Sequence, residues 1–212
     1  MRTKTKKTAL TLLAVAALAI PTGAATATSS AARDVIVGTN GPDHLVGTAG
    51  NDRIRGLAGG DHISGRFGND RIEAGRGNDT LRGLRGNDTL LGRAGNDVIR
   101  GAEGFGSHGD LMFGFRGDDT AYGGPGRDFF NAGGGADMFF GGTGVDDTVP
   151  GVGRDFINLG PGKDFIDHLE PDGVRDRIKC GPGDHDRIVY VDHRERRDVL
   201  TGCEVVRVVT LD

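Results

Sequence analysis

The sequence predicts an all-β fold, a two-sheet solenoid of nine-residue repeats with a small disulfide-pinned C-terminal cap. Three observations predict it. From Gly47 to Arg100 the chain divides every nine residues into GTAGNDRIR, GLAGGDHIS, GRFGNDRIE, AGRGNDTLR, GLRGNDTLL and GRAGNDVIR, with Gly fourth, Asp sixth and Ile or Leu eighth. A period that regular marks an array of stacked units rather than an ordinary globule. Glycine supplies 39 of the 212 residues, and it is periodic, which argues against low complexity. Of the 30 acidic residues 25 are Asp; Glu is the better helix former, whereas Asp belongs in turns and around hard cations.

In chain order, residues 1–27 read as a signal peptide. Arg2, Lys4, Lys6 and Lys7 precede an apolar run from Ala9 to Ile20, and Ala25-Thr26-Ala27 forms a cleavage site. The run is too short to span a bilayer, so the mature chain is expected to be secreted to the extracellular space with no transmembrane segment. Cleavage removes four basic and no acidic residues, leaving 22 basic against 30 acidic, a charge of −8 that disfavours a nucleic-acid partner.

Residues 28–37 form a polar lead and a first strand, Asp34-Val35-Ile36-Val37. Residues 38–100 are the first block of repeats, with Asp at 43, 52, 61, 70, 79, 88 and 97. Residues 101–113 carry an insertion around Phe105-Gly106-Ser107-His108, after which the period resumes at Asp110. The second block, residues 114–167, continues with Asp119, Asp128, Asp137, Asp146, Asp155 and Asp164. Residues 168–212 read as a cap of degenerate coils. It contains the only two cysteines, Cys180 and Cys203, which an oxidising compartment would join. That link would stabilise by about 3 kcal/mol in the chain-entropy model.

The residue types explain the period. Gly, Asn and Asp turn the chain, because Gly accepts positive φ and Asp and Asn bond their own backbone. The three residues that follow, such as Arg53-Ile54-Arg55, alternate out, in, out on a strand. Two units then make one coil, and alternate units stack into two parallel sheets. One Ile or Leu per nine residues is little apolar burial against the ordering of nine backbones, and the stacked carboxylates repel one another. Turns eighteen residues apart lie above one another, so carboxylates and backbone carbonyls converge in an all-oxygen environment. Ca²⁺ takes six to eight oxygens in flexible geometry, Mg²⁺ demands a strict octahedron, and Zn²⁺ wants Cys or His, which these turns lack.

These units resemble the nonapeptide G-G-x-G-x-D-x-U-x of the RTX, or haemolysin-type, calcium-binding repeat family. The resemblance covers Gly38 to Asp167 and implies a parallel β-roll with Ca²⁺ between successive loops on the same edge. By position it assigns the metal role to Asp43, Asp52, Asp61, Asp70, Asp79, Asp88, Asp97, Asp110, Asp119, Asp128, Asp137, Asp146, Asp155 and Asp164. Counting pairs two units apart gives roughly ten calcium ions. Departures from the pattern fall at Ala74, Ala132, Pro150 and Leu159, which replace the first Gly. Ala121 and Thr148 stand where a large core residue is expected, and Asp110 follows the insertion.

No H-E-x-x-H, G-x-S-x-G or P-loop motif is present, so the expectation is a calcium-binding structural or buffering module and not an enzyme. The outward positions suggest the alternative. The first block shows His44, Arg53, Arg55, His62, Arg71 and Arg82, and the second shows Leu111, Phe113, Tyr122, Phe129, Met138, Phe140, Phe156 and Phe165. An aromatic face of that kind suits adhesion to a cell-surface glycan or protein, unless the C-terminal segment folds over it.

Overall fold

The computed structural model describes residues 34–103, 109–169, 172–183, 186–191 and 198–209. The expected signal peptide, most of the polar lead and the insertion around Ser107-His108 lie outside those residues. Every element described is a strand, and among the described residues no helix is long and apolar enough to cross a membrane.

The strands alternate between two sheets. One holds β1 (Val35–Val37), β3 (Arg53–Ala58), β5 (Arg71–Arg76), β7 (Thr89–Ala94), β9 (Leu111–Arg116), β11 (Phe129–Gly134), β13 (Asp147–Val149), β15 (Phe165–Leu169), β17 (Arg187–Val191) and β19 (Val205–Val209). The other holds β2 (His44–Val46), β4 (His62–Phe67), β6 (Thr80–Arg85), β8 (Val98–Ala102), β10 (Thr120–Gly126), β12 (Met138–Gly144), β14 (Phe156–Asn158), β16 (Arg177–Lys179) and β18 (Val199–Thr201). All pairing is parallel, and each strand lies beside the one two units away, as in Ile54↔Ile72↔Leu90↔Met112. The insertion leaves that register intact, since Thr89 still pairs with Leu111.

The eighth residue of each unit faces inward. Leu45, Ile54, Ile63, Ile72, Leu81, Leu90, Ile99 and Met112 form one continuous buried seam between the sheets. At Ala121 and Thr148 the seam is refilled from adjacent coils. Phe139 lies beside Ala121 and Phe130 beside Thr148 in the ladders, and the two rings stack across the interior with centroids 5.3 Å apart. Large beside small keeps the core filled. The Thr148 hydroxyl donates to the Phe130 carbonyl at 2.9 Å, so its polar atom is satisfied.

The strands of the repeats are longer than the three residues the pattern predicts. β3 to β7 run six residues each, with two inward positions, as in the exposed–buried alternation of Arg53 to Ala58. The second inward position is the first Gly of the next unit, which continues the strand instead of opening the turn. Its value is space: a methyl group on Gly56 would collide with Asp61 Oδ2 and the Ala74 carbonyl.

Among the described residues the C-terminal segment does not fold back over either outer face. β15 to β19 extend the same two sheets, with one register shift where β15 meets β17 between Ile166 and Leu169, and Cys180 and Cys203 are joined with Cα atoms 5.1 Å apart. Apart from the buried Phe130 and Phe139, the aromatic residues of the second block face outward, and several form ladders. Tyr122 and Phe140 stack at 5.0 Å with ring planes 8° apart, and Phe140 meets Phe156 at 5.8 Å. Arg100 covers the far face of Tyr122 at 5.0 Å, and Lys179 caps Phe156 at 5.5 Å.

Candidate metal centre

The sixth-position aspartates stand in two columns, one at each edge of the coil. Asp52, Asp70, Asp88, Asp110, Asp128, Asp146 and Asp164 form one; Asp43, Asp61, Asp79, Asp97, Asp119, Asp137 and Asp155 form the other. All are buried except Asp43, which is half-buried. Within a column each Oδ1 accepts a hydrogen bond from the backbone N–H of the aspartate one coil earlier, at 2.7–2.9 Å. The aspartate carbonyl accepts from the residue after the next aspartate, as in Arg71 N–H to Asp52 O at 2.9 Å. These bonds fix the carboxylates rigidly, and Asp110 is held like the rest.

The second carboxylate oxygen distinguishes the middle of the stack from its ends. At the N-terminal end Asp43 Oδ2 accepts from the Thr39 N–H at 2.5 Å, and Asp52 Oδ2 accepts from the Thr48 N–H at 2.6 Å and its hydroxyl at 3.0 Å. At the C-terminal end Asp198 Oδ2 accepts the Tyr190 hydroxyl at 3.1 Å, whereas Asp186, the last aspartate of the other column, keeps an Oδ2 with no donor. Between them, Oδ2 of Asp61, Asp70, Asp79, Asp97, Asp110, Asp119, Asp128, Asp137, Asp146, Asp155 and Asp164 is buried with no hydrogen-bond donor. A buried carboxylate oxygen without a donor is costly, and here it recurs down both columns.

Near several of these oxygens, those of Asp61, Asp110, Asp119, Asp128 and Asp146, lies another acceptor. Asp128 Oδ2 and the Gly141 carbonyl flank the same α-carbon, that of Gly123, as do Asp119 Oδ2 and the Ala132 carbonyl at Gly114. Burial raises the carboxyl pKa values accordingly, opposed by the backbone hydrogen bond and aided by column neighbours. Asp97 and Asp155 reach about 8, and Asp70, Asp110, Asp119 and Asp146 about 7. Asp79, Asp128, Asp137 and Asp164 reach about 6.

Such a set fits a hard cation. Among the described residues no three Asp, Glu, His or Cys side chains converge as a self-sufficient metal site, so backbone oxygens must complete any shell. Carboxylate plus carbonyl oxygen is the donor chemistry of Ca²⁺ and not of Zn²⁺. The replacements of the first Gly do not spoil the columns: Ala74, Ala132 and Leu159 are buried in the interior, while Asp79, Asp137 and Asp164 keep the common geometry.

Three column members escaped the sequence reading. Asp176, Asp186 and Asp198 accept from the N–H groups of Asp155, Asp164 and Asp176 at 2.9, 2.9 and 3.1 Å, across separations of 21 or 22 residues. Extra turn residues hide them from a strict nine-residue count. The Asp-x-Ile triplets Asp176-Arg177-Ile178 and Asp186-Arg187-Ile188 were the available signal. Fifth-position residues form a further ladder, in which Asn51, Asn69, Asn78 and Asn96 Oδ1 accept the N–H of residues 69, 87, 96 and 118 at 2.8–3.0 Å.

Comparison with known proteins agrees with this geometry. A family model described as the RTX calcium-binding nonapeptide repeat, four copies to the model, matches residues 29–63, 37–72, 46–81, 73–107 and 113–147. A search of curated proteins gives no match. The matched segments span more than half of the sequence and contain most of both columns, and the chain belongs to the RTX calcium-binding nonapeptide repeat family.

Proposed function

We propose that this is an exported calcium-binding module whose repeats fold as Ca²⁺ enters the two aspartate columns: of the fourteen aspartates named from the sequence, the twelve from Asp61 to Asp164 supply ligand oxygens, and Asp43 and Asp52 close the first turns. One observation carries the reading: carboxylate oxygens are donor-less through the middle of both columns and at Asp186, and are satisfied by Thr39, Thr48 and Tyr190 at the other three column ends. Hydrogen bonds close those three terminal turns, and a cation supplies the missing positive charge where no donor stands. The module is structural or buffering and non-catalytic. Export follows from the basic, apolar and A-x-A segments at residues 1–27, and the Cys180–Cys203 link suits an oxidising compartment.

The test is a calorimetric Ca²⁺ titration of the mature chain with circular dichroism on the same samples. Roughly ten ions bound with a parallel gain of β signal is the expected result. Full β content in the presence of a chelator would overturn coupled folding. The aromatic face of the second block is a weaker candidate for a binding surface, because the stacked rings and their capping cations occupy the ring faces a sugar would need.

A further inference from the structure

The negative charge of this protein is turned inward. Between residues 38 and 100 the acidic residues are Glu73 and the seven column aspartates, six of them buried, whereas the nine basic residues are all arginines and none is buried. Glu73 is engaged by Arg93 at 2.8 Å and lies 3.9 Å from Arg55. Arg82 has only a loose pair with Glu103 at 3.8 Å, and among the described residues Arg66 makes no ion pair. The outside of the first block is thus strongly basic although the chain is acidic.

Part of that surface is concave. A groove of about 400 Å³ crosses β2, β4 and β6, lined by His44, His62, Ser64, Arg66, Arg82 and Leu84. Two of these residues hold a left-handed backbone, Arg66 at φ 84° and Leu84 at φ 83°, where the second block has Gly124, Gly142 and Gly160. The same backbone recurs at Leu57, Arg93 and Phe115 on the opposite sheet, so it belongs to the repeat and not to the groove alone.

We propose that this groove binds an acidic polysaccharide, a chain carrying carboxylate or sulfate groups, and does so only in the calcium-loaded state; the second clause rests on the calcium reading above. Guanidinium forks match planar and tetrahedral oxyanions, Ser64 and the two imidazoles suit sugar hydroxyls, and Leu84 offers an apolar contact for a ring face. The ladder continues from Arg82 to Arg100, so successive charges along a polymer meet successive arginines. A single-stranded nucleic acid would need open aromatic faces, and those of the second block are covered. A lipid surface would need a protruding apolar wedge, and the exposed Phe67 ring lies under Arg85 at 5.3 Å.

The experiment titrates the mature chain in saturating Ca²⁺ with dextran sulfate, neutral dextran, duplex DNA and vesicles of anionic phospholipid. Dextran sulfate is expected to bind and neutral dextran not. The pair Arg66→Gln and Arg82→Gln should weaken binding about tenfold, and Arg53→Gln with Arg71→Gln on the opposite sheet less than about twofold. Restoring charge as Arg66→Lys should recover only part of the loss, because the fork is missing. Equal losses from the two pairs, or tighter binding to DNA or vesicles, would overturn the proposal. Circular dichroism of the same samples separates the two claims. A chain that gains β structure with Ca²⁺ and binds no dextran sulfate sinks the groove alone, and one that gains none sinks the calcium reading.

Discussion

In the first block successive turns are tied by asparagine side chains, from Asn51 to Asn69 to Asn87 and from Asn78 to Asn96, and arginines cover the outside. In the second block Asp118, Arg127, Ala136, Val145, Arg154 and Lys163 stand where the first has mostly asparagine, and stacked rings cover the outside. The second position shows the difference in energy. Leu57, Arg66, Leu84 and Arg93 hold φ of 83–89° in the first block, whereas after Phe115 the second uses Gly124, Gly133, Gly142, Gly151 and Gly160. Both keep the fourth-position Gly and sixth-position Asp. Site chemistry therefore fixes only part of each repeat, and the free positions set the stability and surface of each block separately.

Calcium removal should expose that difference most strongly. On chelation, hydrogen exchange of the first block should rise before that of the second, and amides near Tyr190 and the Cys180–Cys203 link should stay protected longest. Simultaneous loss across all three regions would erase the contrast. The pH response, by comparison, should be shared, since both blocks hold aspartates with raised pKa values, Asp70 and Asp97 in one and Asp119 and Asp155 in the other. Their unfolded value is about 3.9, so between there and about 8 the metal-free fold holds more protons than the unfolded chain. Metal-free stability is then fully present below about pH 4 and falls as pH rises toward about 8. Denaturant melts in chelator should show more β structure at pH 5 than at pH 8, with Ca²⁺ reversing the order.

Single substitutions sharpen the picture further. Asp97→Asn and Asp119→Asn each replace a carboxyl that burial makes costly to ionise, and at pH 8 should stabilise the metal-free chain by about 1–3 kcal/mol while lowering calcium stoichiometry in calorimetry. Gly142→Ala should cost about 1–3 kcal/mol, because φ is 111° and the new methyl meets the Gly124 carbonyl. Leu84→Gly should do the reverse, gaining about 0.5–1 kcal/mol in chemical melts. The smallest effect belongs to the ladders: Tyr122→Leu should cost about 0.5–1.5 kcal/mol.

Much of this was legible in the sequence because it depends on residues nine or eighteen apart. The Asp columns, the Ile and Leu seam, the two parallel sheets and the cysteine pair all follow from a count. What stayed hidden depends on contact between coils. The first-position Gly reads as a turn residue until Asp61 is seen packed against Gly56. Ala121 reads as a gap until Phe139 is placed beside it. Asp176, Asp186 and Asp198 lose the period because extra turn residues lengthen the loop without moving the strand. Exposed rings read as a binding platform until their faces are found stacked on one another.

The alternation of strands between two sheets also constrains how such a chain can change length. The ladder Arg82, Arg100, Tyr122, Phe140 lies on one sheet across both blocks, because its members are a whole number of coils apart. Removing two units would shorten the molecule and leave every downstream side chain on its original side. Removing one would send them all to the opposite side, so that Tyr122 and Phe140 no longer shared a face with Arg100. Extra residues in a turn, such as those between Asp97 and Asp110, leave this parity unchanged. Gain and loss of repeats should therefore run in pairs wherever an outer surface matters, and singly only where it does not.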